Sequence, residues 1–442
     1  MVGAKSAVEH ALGLLGLGTV GTGVVQILQT PHQRHPLLKD IRLKRVGVRS
    51  PDKPRDVELD SSCVTADLES IVTDPDINIV VEVMGGLEPA RTLLLEAISR
   101  RKHVVTANKA LIARHGEEIF AAATEAGVYV LLEAAVGGGI PVLQPLKQCL
   151  GGNRIDRVTG IVNGTTNFIL SQMSQTQANF TDVLAIAQQR GYAEADPSAD
   201  VNGDDAADKI AILASIAFSE QVAREAVFCE GIRAITAADI RYATEWGFAV
   251  KLLAIANRCE DNPAELDVRV HPTLLPFDHP LAGVNQVDNA VLVEGDPIGE
   301  VMFFGPGAGR GPTASAVISD ILNVAAALST GVKQANPLLS SRYPCPANVK
   351  AIDSVTQRYY ARILASDTPG VIGALGHCFG DCGVSLELVI QKDRTANAAE
   401  IVVLTHDVLE HKFQQALTLI RSHPAISEVA TVLRVLPEGR SN

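Results

Sequence analysis

The sequence predicts an α/β protein built from three domains. A Rossmann-type, doubly wound parallel sheet is expected at residues 1–150, a second domain of α+β type at 151–332 and a ferredoxin-like βαββαβ domain at 357–442. Three observations predict this division. β-rich runs alternate with helical patterns up to residue 150, longer helical stretches follow Gly151, and the C-terminal residues give the order strand, helix, two strands, helix, strand.

The first domain alternates strands and helices as βαβ units do. Apolar residues at helical spacing predict helices over Pro89–Arg101 and Glu117–Ala126, and Gly127 is expected to end the second. The strands are predicted at Ala11–Leu15, Leu43–Val48, Ile79–Val83, His103–Thr106 and Val128–Leu132.

The second domain is predicted to combine a strand at Arg154–Val162 with long helices and a loop-rich region at His271–Gly311. Its helices are expected at Phe180–Arg190, Asp204–Ala217 and Thr313–Leu328, the last of which (313–328) is expected to pack back on the first domain. Residues 333–356 show no period and are predicted to be a surface linker.

The C-terminal domain has the pattern of a small antiparallel sheet covered by two helices. Its elements are predicted, in order, at Tyr359–Ala365, Pro369–Phe379, Val384–Gln391, Glu400–Thr405, Val408–Ser422 and Val429–Val435.

Composition excludes several classes of protein. The 38 basic residues against 50 acidic residues give a net charge of −12, which repels nucleic acid. Seven cysteines without zinc spacing indicate a reducing compartment, and Cys378 and Cys382 are interpreted as buried thiols rather than a metal or redox pair. Ala11–Leu28 has the length of a membrane span but contains five glycines, so we expect no membrane segment or secretory signal and a cytoplasmic protein.

A glycine-rich loop follows the first predicted strand. Gly16-Leu17-Gly18-Thr19-Val20-Gly21 lies between that strand and a helical pattern. In this context the first glycine permits the tight turn, the second lets backbone N–H groups approach a pyrophosphate, and the third lets helix and strand pack closely. The loop therefore predicts dinucleotide binding rather than a merely structural turn.

Arg49 stands where folds selective for NAD usually carry an acidic residue. With Ser50 beside it, the guanidinium can bind a 2′-phosphate, which favours NADP and leaves NAD possible; the alternative is a solvated surface arginine. Gly85-Gly86 and Lys109 follow two further strands and are expected to border the cofactor. Lys109 is alternatively an exposed lysine at a strand end.

An acid-rich segment precedes the helix expected at Asp204. It brings Glu194, Asp196 and Asp200 into one loop, and Asp205 and Lys209 lie four residues apart on one helical face. A lysine partly removed from water can exchange protons near neutrality, and carboxylates can bind the ammonium of an amino-acid substrate. The alternatives are a surface acidic loop with an ordinary ion pair, or a divalent metal site without the EF-hand spacing.

Two segments combine glycine with polar groups. Glu133–Pro141 exposes carbonyl groups around a flexible turn, and Asn163–Asn167 offers amides and hydroxyls before a helix expected from Phe168. Each is either a binding loop for a small polar ligand or a tight turn between domains.

These motifs together resemble the homoserine dehydrogenase family over nearly the whole chain. The resemblance rests on Gly16–Gly21, Thr106–Lys109, Glu133–Pro141, Asn163–Asn167, Gly191–Asp200, Asp205 with Lys209, and Gly305–Thr313. It implies NAD(P)H-linked interconversion of L-aspartate 4-semialdehyde and L-homoserine, on the route to threonine, methionine and isoleucine. It also implies that the second domain catalyses and dimerises, so a homo-oligomer is expected.

The resemblance further implies roles for individual residues. Lys209 would move the proton at the substrate oxygen, with Lys109 assisting and Asp205 orienting Lys209. Substrate would be bordered by Tyr192, Glu194, Asp200 and Thr165. The cofactor would contact Gly16, Gly18, Thr19, Val20, Gly21, Arg49, Lys109 and Gly307. Na⁺ or another monovalent cation, with a structural role, would be held by Glu133 and the carbonyls of Val136, Gly138 and Ile140.

The C-terminal domain resembles an ACT domain, with Asp367–Val371 as its first loop. This implies feedback inhibition by threonine in a monofunctional enzyme, since the chain shows no kinase motif. The alternative is an amino-acid sensor in which the ACT domain binds the ligand and the nucleotide fold is vestigial. A pure sensor has no need of Lys109 and Lys209.

Overall fold

The computed structural model describes residues 10–331, 336–343, 345–395 and 398–436, with 18 strands and 13 α-helices in these ranges. The strands are β1 (His10–Leu15), β2 (Ile41–Gly47), β3 (Val64–Thr65), β4 (Ile79–Glu82), β5 (His103–Thr106), β6 (Val130–Leu131), β7 (Arg154–Ile161), β8 (Phe228–Cys229), β9 (Phe248–Arg258), β10 (Glu265–Pro276), β11 (Asp288–Asp296), β12 (Gly299–Pro306), β13 (Asn348–Val349), β14 (Thr356–Ser366), β15 (Leu386–Thr395), β16 (Ala398–Thr405), β17 (Val408–Leu409) and β18 (Ile426–Val435).

The helices vary from one turn to 20 residues. They are α1 (Thr19–Gln29), α2 (Glu69–Thr73), α3 (Ala90–Ser99), α4 (Lys109–Ala126), α5 (Leu143–Lys147), α6 (Gly164–Thr176), α7 (Phe180–Gln189), α8 (Ser198–Val201), α9 (Asp204–Phe218), α10 (Ala237–Glu245), α11 (Arg310–Ser329), α12 (Val371–Asp381) and α13 (Glu410–Ser422).

The chain divides into two compact units, which differ from the segments predicted from the sequence. Unit 1 comprises Met1–Val158, Asp208–Glu225 and Asn289–Ala347. Unit 2 comprises Thr159–Ala207, Ala226–Asp288 and Asn348–Asn442. The chain passes between the units within β7 and within α9, so both elements contribute residues to each unit.

Unit 1 contains the predicted doubly wound sheet. Its strands lie in the order β3-β2-β1-β4-β5-β6 and all pair in parallel. This order reverses direction between β1 and β4, which is where dinucleotides bind in such sheets. All five predicted strands are confirmed within two residues at each end, and the two-residue β3 is an addition.

The helix predicted at Thr313–Leu328 begins three residues earlier, at Arg310. Pro312 fits within its first turn because the N–H groups there have no partner inside the helix. This helix, α11, packs against α1 so closely that a Cβ on Gly23 would lie 2.7 Å from the Arg310 carbonyl oxygen. Among the described residues it alone has the length and apolar composition of a membrane span, yet Ala314, Val317 and Ile321 are fully buried in the core of unit 1.

The expectation of a loop-rich region at His271–Gly311 is wrong, since most of it forms β10, β11 and β12. The glycines and prolines that suggested loops lie largely in turns or at strand ends, as Pro297 does between β11 and β12. The linker prediction fails in part as well. Leu339 and Ser341 are buried rather than on the surface, and Lys147 donates to the carbonyl of Leu339; residues 332–335 and 344 lie outside the described residues.

Unit 2 holds the C-terminal strands in the order β18-β14-β16-β15, all antiparallel. With α12 and α13 this confirms the predicted βαββαβ arrangement, which has its own apolar core. In that core the rings of Tyr359 and Phe413 stack at 3.9 Å between centroids. The sheet continues through parallel pairing of β18 with β10, the longer strand of the β9-β10 hairpin.

The cysteines are all free thiols. Cys378 and Cys382, expected to be buried, are half-buried instead, because α12 covers the sheet with one face and leaves its other face to solvent. Of the described residues, no three His, Cys, Asp or Glu side chains are grouped so as to hold a metal ion.

Candidate active site

The glycine loop of unit 1 has the geometry that a dinucleotide requires. Gly16 has a φ of +105°, which only glycine adopts readily, and a Cβ on Gly21 would lie 2.2 Å from the Gly16 carbonyl oxygen. A Cβ on Gly18 would meet nothing within 4 Å, so the backbone is open to an approaching ligand. Gly18 caps α1 without a side-chain hydrogen bond, and Thr19 and Val20 begin the helix. Its first N–H groups therefore suit a bound phosphate.

A buried network that sequence reasoning missed joins the carboxyl ends of β4 and β5. The Glu82 carboxylate accepts hydrogen bonds from the backbone N–H groups of Met84 and Gly85, at 2.8 and 3.1 Å, and from the Thr106 hydroxyl at 2.7 Å. Asn108 donates to the Gly86 carbonyl and also caps α4. The network fixes the diglycine turn. Its only sequence signal is a glutamate ending an apolar strand.

Lys109 is half-buried at the first position of α4, directly after the capping Asn108. Arg49 is exposed just beyond β2, with the exposed Ser50 beside it. The Arg55 guanidinium closes the next turn by donating to the carbonyls of Ser50, Pro51 and Lys53. The loop after β2 is thus held by Arg55, while Arg49 extends into solvent.

Lys209 is buried on α9, as the apolar residues after it predicted. The preceding residue, Asp208, is also buried and accepts hydrogen bonds from two arginines of unit 1, Arg114 of α4 at 3.2 Å and Arg224 at 2.9 Å. The Arg114 ion pair joins the helix that begins with Lys109 to the helix that carries Lys209. Asp208 was not predicted, because a contact between distant helices leaves no local pattern.

In unit 2, Asn163 brings two of the predicted carboxylates together. Its side-chain amide donates to Asp200 at 2.7 Å and to Asp205 at 2.8 Å, while its oxygen accepts the Thr166 N–H. This cap starts α6 at Gly164, one turn before the predicted position. Asn163 was part of a predicted binding segment, but its bridging role was not foreseen.

Thr165 and Tyr192, two further predicted residues of unit 2, lie at the same end of α6. The Thr165 hydroxyl donates to the Tyr192 carbonyl at 2.7 Å, and the exposed Tyr192 ring packs edge-on against Phe168 at 4.9 Å. Glu194 is exposed in the following turn. The Asp200 and Asp205 carboxylates and the Thr165 hydroxyl thus lie at the start of α6, whose first N–H groups favour negative charge.

The Glu133 segment lies in unit 1 and is more ordered than a flexible turn. The buried carboxylate accepts N–H bonds from Val142, Leu143 and Gln144, at 2.5 to 2.8 Å, and so caps α5. Burial raises the pKa of Glu133 and raises the pKa of Asp320, which accepts the Glu133 N–H, to about 7. Burial also lowers the pKa of the neighbouring Lys147 to about 8.

The turn after Glu133 approaches the loop that begins α11. A Cβ on Gly138 would lie 2.2 Å from the Gly307 carbonyl oxygen, and one on Gly307 would lie 2.1 Å from the side chain of Asn289. A side chain at Gly138 would therefore require backbone movement, and one at Gly307 would require the buried Asn289 side chain to move. Val136 and Ile140 are fully or almost fully buried beside them, so the three predicted carbonyl donors belong to a rigid turn.

Comparison with known proteins identifies relatives that match nearly the whole chain. The family model described as homoserine dehydrogenase matches residues 141–322, and the model described as homoserine dehydrogenase, NAD binding domain, matches residues 16–133. A homoserine dehydrogenase from Synechocystis sp. is 59% identical over 429 residues, which cover 96% of this chain and 99% of that protein.

Solved structures agree with the sequence matches. The crystal structure of a homoserine dehydrogenase from Thiobacillus denitrificans has a TM-score of 0.88 and 40% identity, covering 97% of this chain and 98% of the other. A hyperthermophilic archaeal homoserine dehydrogenase in complex with NADPH has a TM-score of 0.60 and 27% identity, covering 72% of this chain and 98% of the other.

Proposed function

Because the chain belongs to the homoserine dehydrogenase family and is an NAD(P)-dependent oxidoreductase, we propose that it interconverts L-aspartate 4-semialdehyde and L-homoserine with Lys209 as the proton-transferring residue. The observation that carries the assignment of Lys209 is its placement on α9. The helix buries this lysine one turn after Asp205, and Asn163 ties Asp205 to Asp200.

The bound nicotinamide cofactor supplies or accepts the hydride. Lys209 donates a proton to the carbonyl oxygen during reduction and removes it from the hydroxyl during oxidation, and Asp205 orients it. Lys109, at the start of α4, assists near the same oxygen. A buried ammonium serves this role better than an exposed one, because desolvation favours release of its proton.

The substrate is an amino acid, so its ammonium requires acceptors. Glu194 and Asp200 supply carboxylates for it, and Thr165 and Tyr192 border the rest of the molecule. The amide of Asn163 keeps Asp200 and Asp205 in place without neutralising either one.

The cofactor is held by the loop at the start of α1, that is Gly16, Gly18, Thr19, Val20 and Gly21, with Gly307 and Lys109. The open space at Gly18 supports this placement. We propose NADP as the preferred cofactor, since Arg49 is exposed beside Ser50 and can bind a 2′-phosphate; the NADPH complex of the archaeal relative supports this choice.

A monovalent cation such as Na⁺ is the second ligand that we propose for unit 1. Glu133 and the carbonyls of Val136, Gly138 and Ile140 provide only oxygen donors, which suit a hard cation. The turn is rigid, since its glycines contact backbone directly, and this supports a structural rather than a catalytic role.

We also propose that residues 357–442 form an ACT domain and that threonine bound to it inhibits the enzyme. Support comes from a cavity of about 460 Å³ in unit 2, lined by residues 366–373 with Gln391, Ala399 and Ile401.

We further propose that the protein is a homo-oligomer. The edge strand β12 exposes Met302 and Phe304, with 41% and 57% of their surfaces accessible, and such exposed apolar side chains favour association between copies. The proposed location is the cytoplasm.

Absorbance of the reduced nicotinamide tests the reaction directly. Purified protein is incubated with homoserine and either NADP or NAD, with and without threonine. Homoserine-dependent reduction that threonine suppresses is expected, with Lys209→Ala abolishing turnover and leaving cofactor affinity unchanged. Silence with both cofactors would favour the amino-acid sensor, and undiminished turnover in Lys209→Ala would remove its assigned role.

A further inference from the structure

The C-terminal sheet reaches the rest of unit 2 through a buried arginine. Arg434, on β18, is 4% exposed, and its guanidinium donates to both carboxylate oxygens of Glu410 on α13. Its remaining terminal nitrogen donates to Glu230, which lies outside the C-terminal domain, directly after β8. The same guanidinium lies 4.8 Å over the ring of Phe228. One side chain therefore ties β18 to the segment 228–230.

The longer segment 228–233, which begins with these residues, packs directly on α8. The Ile232 N–H donates to the Val201 carbonyl at 2.9 Å, and the Cys229 thiol donates to the Asn202 carbonyl at 3.3 Å. A Cβ on Gly231 would lie 2.1 Å from the Val201 oxygen, so the two backbones are in contact. Close-packed backbone atoms cannot move toward each other. A shift of segment 228–233 is therefore expected to move α8 as well.

Arg233 extends the contact to both ends of α8. Its guanidinium donates to the Asn202 side chain at 2.8 Å and to the Ser198 hydroxyl at 3.3 Å. Between these two residues lies Asp200, whose carboxylate accepts the hydrogen bond from Asn163. A continuous set of contacts within unit 2 therefore leads from the last strand of the chain to a carboxylate of the candidate substrate site.

We propose that Glu230 is a positioning residue for substrate binding, which through its ion pair with Arg434 lets the C-terminal domain set the position of Asp200. This inference rests on the proposed function, in which Asp200 binds the substrate ammonium. It also gives the C-terminal domain a physical route to the active site, because a ligand that moves β18 moves Arg434 and with it the segment that holds α8.

Glu230→Gln tests the route, and Glu387→Gln is its matched control. The Glu230 side chain is 40% exposed and that of Glu387 is 39% exposed, and each pairs with one arginine, but the Arg358–Glu387 pair lies wholly inside the C-terminal domain. Both variants remove the charge of a carboxylate that is about 40% exposed, and Arg434 keeps its ion pair with Glu410, so a small and similar effect on the melting temperature is expected.

Steady-state kinetics in the homoserine-oxidising direction then distinguish the Glu230→Gln variant from its control. Glu230→Gln is expected to raise the KM for homoserine about three- to tenfold while the cofactor Kd stays unchanged, whereas Glu387→Gln changes neither. Arg233→Ala removes the next exposed contact of the route and is expected to raise the same KM, so the test does not depend on one variant.

The outcomes distinguish this inference from the proposed function. A wild-type chain that does not oxidise homoserine would overturn the proposed function. An active wild-type chain whose KM for homoserine is unchanged in both Glu230→Gln and Arg233→Ala would overturn the positioning role alone. An equal rise of the KM for homoserine in Glu387→Gln would also overturn the positioning role of Glu230, because the effect would then not depend on segment 228–233.

Discussion

Adding one methyl group to Gly21 is expected to destabilise unit 1 and weaken cofactor binding. The new Cβ would lie 2.2 Å from the carbonyl oxygen of Gly16, whereas ordinary contacts begin at 3.4 Å. The clashing atom belongs to the backbone of Gly16, whose φ of +105° is readily adopted only by glycine. Overpacking of this kind costs about 1–3 kcal/mol, and a rigid neighbour places Gly21→Ala at the upper end.

Gly18→Ala is the matched control, since it adds the same methyl group to the same loop. That Cβ meets nothing within 4 Å, so only the poorer helix cap is felt, at about 0.5–1 kcal/mol. The methyl group nevertheless occupies the space through which we expect the pyrophosphate to approach the backbone. Gly18→Ala should therefore weaken cofactor binding without a comparable loss of stability.

Thermal melts without cofactor and fluorescence titration with NADPH measure the two effects separately. At about 2–4 °C per kcal/mol for a unit of this size, Gly21→Ala should lower Tm by roughly 6–12 °C and Gly18→Ala by less than about 4 °C. Both should raise the Kd for NADPH at least tenfold. Equal Tm values for the two variants, or wild-type affinity in Gly18→Ala, would refute the assignment of the loop.

Three further predictions follow from single contacts. Arg49→Asp should raise the KM for NADP at least tenfold and leave that for NAD nearly unchanged, since only NADP carries the 2′-phosphate; equal losses in cofactor kinetics would contradict this. Asp208→Asn should lower kcat about tenfold with cofactor Kd unchanged, because Arg114 then holds α9 less firmly; an unaltered kcat would show that α9 is held elsewhere. Burial lowers the pKa of His103 to about 4, below the ordinary 6.5, so the unfolded chain binds this proton first and the free energy of unfolding should fall by about 3 kcal/mol as pH drops from 6.5 to 4. Urea melts should show a smaller fall in His103→Asn, which keeps an acceptor for the Tyr129 N–H; an identical fall would exclude this histidine.

Local patterns were sufficient to predict the Rossmann sheet and the glycine loop. A strand that alternates with helices and ends at Gly16 carries its own signal, because residues close in the chain make the contacts that define it. The βαββαβ order at the C-terminus was predictable for the same reason. Strands β9 to β12 were missed or misjudged although β9 and β10 form a hairpin, since the glycines and prolines within and beside β10, β11 and β12 imitate loops.

The residues of the candidate site likewise fall into two groups, those predicted from local patterns and those that depend on distant partners. Lys209 and Asp205 were predicted as site residues from their helical spacing and the acidic loop from its carboxylates, and a family resemblance led to the same prediction, which stays a prediction. Glu82, Asp208 and the bridge of Asn163 were not found, because each depends on a partner between 24 and 94 residues away. Such contacts have no period in the sequence.

The sequence by itself determined that the chain has a dinucleotide-binding fold, a lysine on a helix that begins with acidic residues, and a C-terminal βαββαβ domain. Only the tertiary structure decided that this last domain shares one sheet with β9 and β10, and one compact unit with the predicted substrate-binding residues. The physical reason is that turns, caps and amphipathic faces are set by near neighbours, whereas the pairing of β18 with β10 and the Arg434–Glu230 ion pair bring together residues that only the folded chain makes neighbours.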